Sequence, residues 1–299
     1  MSITNLPPDQ QAIRAKCFHP TGTFVEFAKE EIEQSIPDRF EKIVRMHPNR
    51  IAVKTKDQTL TFNELNRFVN RLAHSILARQ QGQEPVAVFL PTGISQIIAI
   101  LAVLKAGKMF LQLDPKASHA QTNYLLGESQ ARLIITNGKN DSIGRGWANA
   151  KRQLINIDDL DSGISDENPG LYIAPDAFAY IKYTSGSTGR AKGAVDSHRY
   201  IMHVVMNFTN TNHFCADDRY VHVGGNSIKR YFWGSLLNGA TLCPLDIGEE
   251  GAHHLADWLI EHEITIYRSF PTAFRHFVSS LSGQMSFPRL RLMASFISP

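Results

Sequence analysis

Apolar positions along this chain change period several times, and each change marks a predicted element. Ile51–Val53 and Thr59–Phe62 are short strand-like runs. Thr61 then stands three residues before Glu64, a capping-box pattern that opens a helix. That helix reads LNRFVNRLAHSIL, with Leu65, Phe68, Val69, Leu72 and Ile76 on one face. A strand over Val86–Leu90 precedes Pro91, a helix over Ser95–Lys105 follows, and Gly107 ends it. Met109–Leu113 is the next strand, 118–127 the next helix and Arg132–Thr136 the strand after it. Residues 137–176 break the rhythm. They are rich in Asn, Asp, Gly, Ser and Pro, contain one strand-like patch at Gln153–Ile157, and read as a subdomain junction. Alternation then resumes with strand Phe178–Tyr183, helix 196–210, strand Tyr220–Val223 and helix 227–238. Strand Thr241–Pro244, helix 252–262, strand Ile264–Tyr267, helix 272–281 and strand Leu290–Met293 complete it. Strands alternating with helices of this length predict parallel βαβ units and an α/β fold.

Composition narrows the class. Of 299 residues, 43% are hydrophobic and 20% charged, which favours a packed core over disorder. Thirty-one basic residues against 28 acidic ones leave a net charge of +3, too small to indicate nucleic acid. The longest apolar run, Ile97–Leu104, is far short of the roughly 20 residues a membrane span needs, so it predicts a buried helix. Cys17, Cys215 and Cys243 are odd in number and widely spaced. They form neither a disulfide framework nor a zinc motif and fit a reduced, cytoplasmic setting.

The candidate chemistry lies in Tyr183-Thr184-Ser185-Gly186-Ser187-Thr188-Gly189-Arg190-Ala191-Lys192-Gly193, set between a predicted strand and a predicted helix. A polyphosphate needs many donors at close range. Glycines allow close backbone N–H approach and positive φ. The hydroxyls of Thr184, Ser185, Ser187 and Thr188 add donors, and Lys192 adds a compact positive charge. A Gly/Ser linker would share the glycines, but not the flanking strand, lysine and helix. A P-loop GxxxxGK[ST] fails at two places: Ala191 precedes the lysine and Gly193 follows it, leaving no hydroxyl for Mg²⁺.

These residues, YTSGSTGRAKG, resemble the phosphate-loop signature of adenylate-forming (AMP-binding) enzymes, most closely the adenylation domains of nonribosomal peptide synthetases. SIPDRFEKIVRMHPNRIAV, LTFNELNRFVNRLAHSIL, ILAVLKAGKMFLQLDP and WGSLLNGATL resemble other family segments in the same order, over about residues 35–295. The resemblance implies an N-terminal arm at 1–34 and, over 35–299, part of the family's N-terminal domain of layered parallel-sheet βα subdomains. It implies activation of a carboxylic acid by ATP and Mg²⁺ as an acyl-adenylate, then transfer to a thiol of CoA or a phosphopantetheine carrier. Thr184, Ser185, Gly186, Ser187, Thr188, Gly189, Lys192 and Gly193 would hold the phosphates, with Lys192 as the catalytic cation.

The chain departs from the family at two positions. Ala191 stands where Pro often precedes the lysine. Counting eight residues back from Gly234, Asn226 stands where peptide-synthetase domains place the aspartate that pairs with a substrate ammonium. Asn226 therefore predicts an acid without a free α-amino group, such as an aryl, hydroxy or fatty acid. The family's Tyr-Gly-x-Thr-Glu segment, ribose Asp and C-terminal lysine would lie downstream. LRLMASFISP begins like a family strand that should continue into Gly-Gly-Glu, yet Phe296-Ile297-Ser298-Pro299 follows. The expectation is a truncated domain, inactive alone; the alternative is a remnant that at most binds nucleotide weakly.

Other residues carry less. His253, His254 and His262 lack a metal-ligand spacing and, with Leu255, Trp258 and Leu259, predict an amphipathic helix. His198 is read as a solvated helix-start histidine, with shielding of the phosphates as the alternative. Lys229-Arg230 reads as a solvated helix face, with an acidic substrate as the alternative. Cys215 and Cys243 read as plain core or near-surface thiols.

Overall fold

The computed structural model describes residues 7–15, 17–184, 192–223, 232–247, 251, 254–269, 271–281 and 285–295. Two six-stranded sheets carry the chain. The first is built from β1 (Ile51–Lys54), β2 (Thr59–Thr61), β9 (Arg219–Val223), β10 (Thr241–Leu245), β11 (Ile266–Ser269) and β12 (Leu292–Ser295), in the order β12-β11-β9-β10-β1-β2. The second contains β3 (Val86–Val88), β4 (Phe110–Gln112), β5 (Leu133–Thr136), β6 (Gln153–Asn156), β7 (Phe178–Thr184) and β8 (Lys192–Ser197), in the order β6-β5-β3-β4-β7-β8. Pairing is parallel except for β1–β2 and β7–β8, the outermost pair at one end of each sheet.

The inner strands β3, β5, β9 and β10 are buried on both faces, and the pleat sends successive side chains into different cores. Val86 and Val88 join the central core while Ala87 points to a second one; Leu133 and Ile135 part from Ile134 in the same way. In the first sheet Tyr220, Leu242 and Ile266 face the central core, and Val221, Cys243 and Tyr267 face a third. The central core lies between the sheets and is filled by α2 (Ile36–Met46), α3 (Phe62–Arg79), α4 (Ile94–Lys105) and α7 (His198–Asn212). The outer faces are covered by α5 (His119–Glu128) and the Trp147 region on the second sheet, and by α9 (Leu255–Glu261) and α10 (Pro271–Ser280) on the first. Three short helices, α1 (Pro8–Ala15), α6 (Asp141–Arg145) and α8 (Phe232–Leu236), complete the set.

Local sequence explains the helix starts. Ser35 with Asp38 and Thr61 with Glu64 form capping boxes that satisfy orphan N–H groups of α2 and α3. Helix α4 is apolar nearly all round, as a helix packed between a sheet and other helices must be. Its terminal Lys105 is buried, and Glu41 (2.8 Å), Asn66 (2.8 Å) and Asn70 (2.7 Å) receive its ammonium. Gly107, at φ +68°, turns the chain out of α4. Among the described residues no helix is long and apolar enough to cross a membrane.

Two details depart from the sequence reading, one in α3 and one at the start of α7. Phe68, assigned to the buried face of α3, is 41% exposed, because that face needs only Leu65, Val69, Leu72 and Ile76. Within segment 137–176 the expected strand-like patch is the edge strand β6, which pairs in parallel with β5, and α6 precedes it. The segment's distal part is tied to α3, where Arg67 (2.7 Å) and Arg71 (2.9 Å) hold the Asp166 carboxylate and Asn70 donates to the Asp166 carbonyl (2.8 Å). The chain passes between the sheets at α3 and α7. Lastly, the expected helix over 196–210 opens at His198, and a strand precedes it.

Candidate functional site

The site is built on the β7–β8 hairpin. β7 runs parallel to β4, with Phe110 opposite Tyr180 and Leu111 opposite Ile181. β8 returns antiparallel, and the ladder closes with Tyr183 opposite Gly193 and Thr184 opposite Lys192. The phosphate-loop segment therefore joins two paired strands, instead of a strand and a helix as expected. The reason is tertiary: Lys192–Ser197 has little strand character of its own, and pairing with β7 decides its state. Helix α7 opens only after Ser197 caps it by accepting from Tyr200 N at 3.2 Å. Its N-terminus does not directly follow the loop.

Lys192 is exposed at the mouth of the hairpin, and Gly193 is fixed by what lies over it. A Cβ on Gly193 would meet Ile181 Cδ1 at 3.3 Å and the Tyr183 ring at 3.2 and 3.4 Å. Burial, helped by Glu128 and Tyr124, pushes the Tyr183 phenol pKa up. Thr184 is described through its backbone, as the last residue of β7. Ser185, Gly186, Ser187, Thr188 and Gly189 lie outside the described residues, as do Asn226, Lys229, Arg230 and His253.

A cleft of about 560 Å³ runs beside the hairpin along β4, β7 and the start of α5. Gln112, Asp114, Lys116, Gln121, Lys182 and Tyr183 are among its walls. Lys182 is held by Asp196 at 3.1 Å. Gln112, at the carboxyl end of β4, has a buried amide oxygen without a hydrogen-bond partner among the described residues. Lys116 reaches across to Asp246, just past β10, at 3.4 Å, so the carboxyl ends of strands from both sheets meet here. Ligands of open parallel sheets bind at such ends. The segment carrying Asn226 leaves the carboxyl end of β9, which pairs in parallel with β10.

His198 does not shield phosphates and is not solvated. It is 1% exposed, and its Nδ1 accepts from Ile36 N at 3.2 Å, linking α7 to α2. Burial, only partly offset by Asp38, drives its pKa down to about 4. Its spacing from the loop misled the reading, because a helix-start residue is usually wet and this helix start is packed under α2. His262 stacks on Trp258 at 3.8 Å, and no group of three potential metal ligands occurs among the described residues. Cys215 and Cys243 are buried, which pushes both thiols up to about 12. Lys116, Asp246 and Gln112 were not singled out from sequence as site residues. Their signal was positional, since each lies at or just past the carboxyl end of a predicted strand.

Comparison with known proteins gives a consistent picture. The family model described as AMP-binding enzyme matches residues 40–299. Gramicidin S synthase 2 of Aneurinibacillus migulanus is 34% identical over 230 residues, covering 71% of this chain but 5% of that protein. The chain thus spans a small part of that relative. The nonribosomal peptide synthetase FmoA3 superposes with a TM-score of 0.79 at 21% identity, over 96% of this chain and 30% of that one. The N-terminal subdomain of NpsA from Klebsiella oxytoca, solved in complex with 3-hydroxybenzoyl-AMSN, gives 0.72 at 22% identity, over 85% and 64%. At these identities the likeness is one of fold.

Proposed function

This chain belongs to the AMP-binding enzyme family, and from that premise we propose that it holds the phosphate-binding part of a site that activates a carboxylic acid as its acyl-adenylate. The observation that carries the reading is where the two ends of the loop stand. Thr184, ending β7, and Lys192, opening β8, pair beside a cleft where carboxyl ends of strands from both sheets converge. In this reading Thr184, Ser185, Gly186, Ser187, Thr188, Gly189 and Gly193 donate to the β- and γ-phosphates of ATP. Lys192 offsets the charge that builds on the leaving pyrophosphate. A carboxylate oxygen attacks the α-phosphorus, the bond to pyrophosphate breaks, and the acyl-adenylate remains. Mg²⁺ would accompany the phosphates, as is usual for this ion, with its protein ligand in the family's downstream Tyr-Gly-x-Thr-Glu segment. A thiol of CoA or a phosphopantetheine carrier then attacks the acyl carbon, and AMP leaves as the thioester forms.

The same reading divides the chain into an arm, residues 1–34, and part of the family's N-terminal domain, residues 35–299. It places Asn226 against the acid and therefore selects acids without a free α-amino group. The three free thiols fit a cytoplasmic setting. The test is acid-dependent ATP–pyrophosphate exchange by the protein that carries this chain, screened over aryl, hydroxy, fatty and amino acids. Exchange with an aryl, hydroxy or fatty acid is expected, falling about tenfold or more in Lys192→Ala, since a charge-assisted contact contributes about 1.5–3 kcal/mol. Exchange indifferent to Lys192 would overturn the phosphate assignment, and clear preference for an ordinary α-amino acid would overturn the role of Asn226.

A further inference from the structure

The pair formed by Lys116 and Asp246 is unlike the other ion pairs around the hairpin. Lys116 sits on the turn after β4, where its backbone N–H donates to Asp114 Oδ1 at 2.7 Å, so its Cα is fixed. Its ammonium lies 3.4 and 3.5 Å from the two Asp246 oxygens, beyond the 2.7–2.9 Å of a tight charged contact. The Lys116 side chain is 57% exposed, against 19% for Asp246. A wet, loosely held cation gains little from one carboxylate and is open to exchange. Lys182, the cleft's other ammonium, is engaged by Asp196 at 3.1 Å. The cation with the weaker hold is therefore the one that also bridges the two sheets.

We propose that Lys116 is a second phosphate-binding cation of this site, parked on Asp246 until a polyphosphate enters the cleft and draws it away. The proposal rests on the phosphate-site reading of the β7–β8 hairpin. A polyphosphate offers several negative charges to the lysine where Asp246 offers one, so exchange favours the ligand. Asp246 acts as the brake, lowering affinity by competing for the same ammonium.

The probe is inorganic triphosphate, titrated calorimetrically into this 299-residue chain at low salt. Lys116→Gln is expected to weaken binding roughly threefold to tenfold, the range between an exposed pair and a charge-assisted contact. Asp246→Asn is expected to tighten it by up to about fivefold, the most an exposed pair holds back. In the double variant the gain should vanish, leaving the affinity of Lys116→Gln alone. Lys56→Gln, an exposed lysine of the β1–β2 turn, controls for net charge and should change nothing. Unchanged affinity in Lys116→Gln alongside weakened binding in Lys192→Ala would overturn the role of Lys116 and leave the hairpin reading standing. Tightening by Asp246→Asn that persists without Lys116 would overturn the brake, and an equal loss in Lys56→Gln would overturn any specific contact. No triphosphate binding by the unsubstituted chain would overturn both readings.

Discussion

At the scale of single residues, His198 and Gly193 make sharp claims. The folded pKa of His198 is about 4, against 6.5 for an ordinary histidine. Between those values the unfolded chain binds the extra proton and the folded chain does not. Stability is therefore full above about pH 6.5 and falls as pH drops, with the loss complete near pH 4. The span is worth about 3 kcal/mol. His198→Asn keeps an acceptor for Ile36 N but cannot titrate, so the denaturation midpoint should fall less between pH 7.5 and 5 than in the unsubstituted chain. Equal falls would show that burial of His198 does not govern this window. Gly193→Val should press into the Tyr183 ring and Ile181, distort the last ladder pair and weaken triphosphate binding more than global stability. Comparing unfolding midpoints with binding titrations checks this; Gly193→Val binding as tightly as the unsubstituted chain would contradict it.

At the scale of elements, what could be read depended on where the deciding interaction lay. The start of α3 was legible because the Thr61–Glu64 box is a contact between residues three apart. The burial of α4 was legible because an all-round apolar run admits no other place. β8 was not legible. Its exposed residues Lys192, Gly193, Ala194 and Val195 carry no alternation, and only β7 makes them a strand. The candidate phosphate loop was proposed from its residue types, whereas the cleft walls come from separate elements and share no sequence motif. Helix α7 adds a check of its own. Ser197→Ala removes the cap received by Tyr200 N and should destabilise the chain by about 1 kcal/mol in urea unfolding. No change would mean that packing alone sets this helix start.

At the scale of the whole molecule, one arginine gathers distant parts. Arg291, just before β12, donates to both oxygens of Asp218 at 2.8 and 2.6 Å and to the carbonyls of Asn212 (3.0 Å), His213 (3.2 Å) and Cys17. It thus ties the N-terminal arm, the end of α7 and the start of β9 to one guanidinium. Its side chain is 4% exposed and that of Asp218 is fully buried. Asp218→Asn would leave that charge uncompensated, so a loss of about 3–5 kcal/mol is expected in chemical denaturation. A loss below about 1 kcal/mol would show that water or a shifted neighbour replaces the carboxylate.

The closure of the hairpin at Thr184 and Lys192 has a consequence for chain entropy. Bringing the two ends of a loop together is unfavourable, but the ladder has already fixed the ends of 185–191. A ligand that contacts the intervening residues therefore does not meet that closure cost. The lysine also belongs to the sheet, not to the loop, so its position is not tied to loop length. Doubling the length of a loop costs only about 0.6 kcal/mol more in closure, so inserting one glycine between Ser187 and Thr188 should leave the unfolding midpoint nearly unchanged. It should displace the backbone donors while keeping the Lys192 charge in place, separating the contribution of shape from that of charge in a single titration.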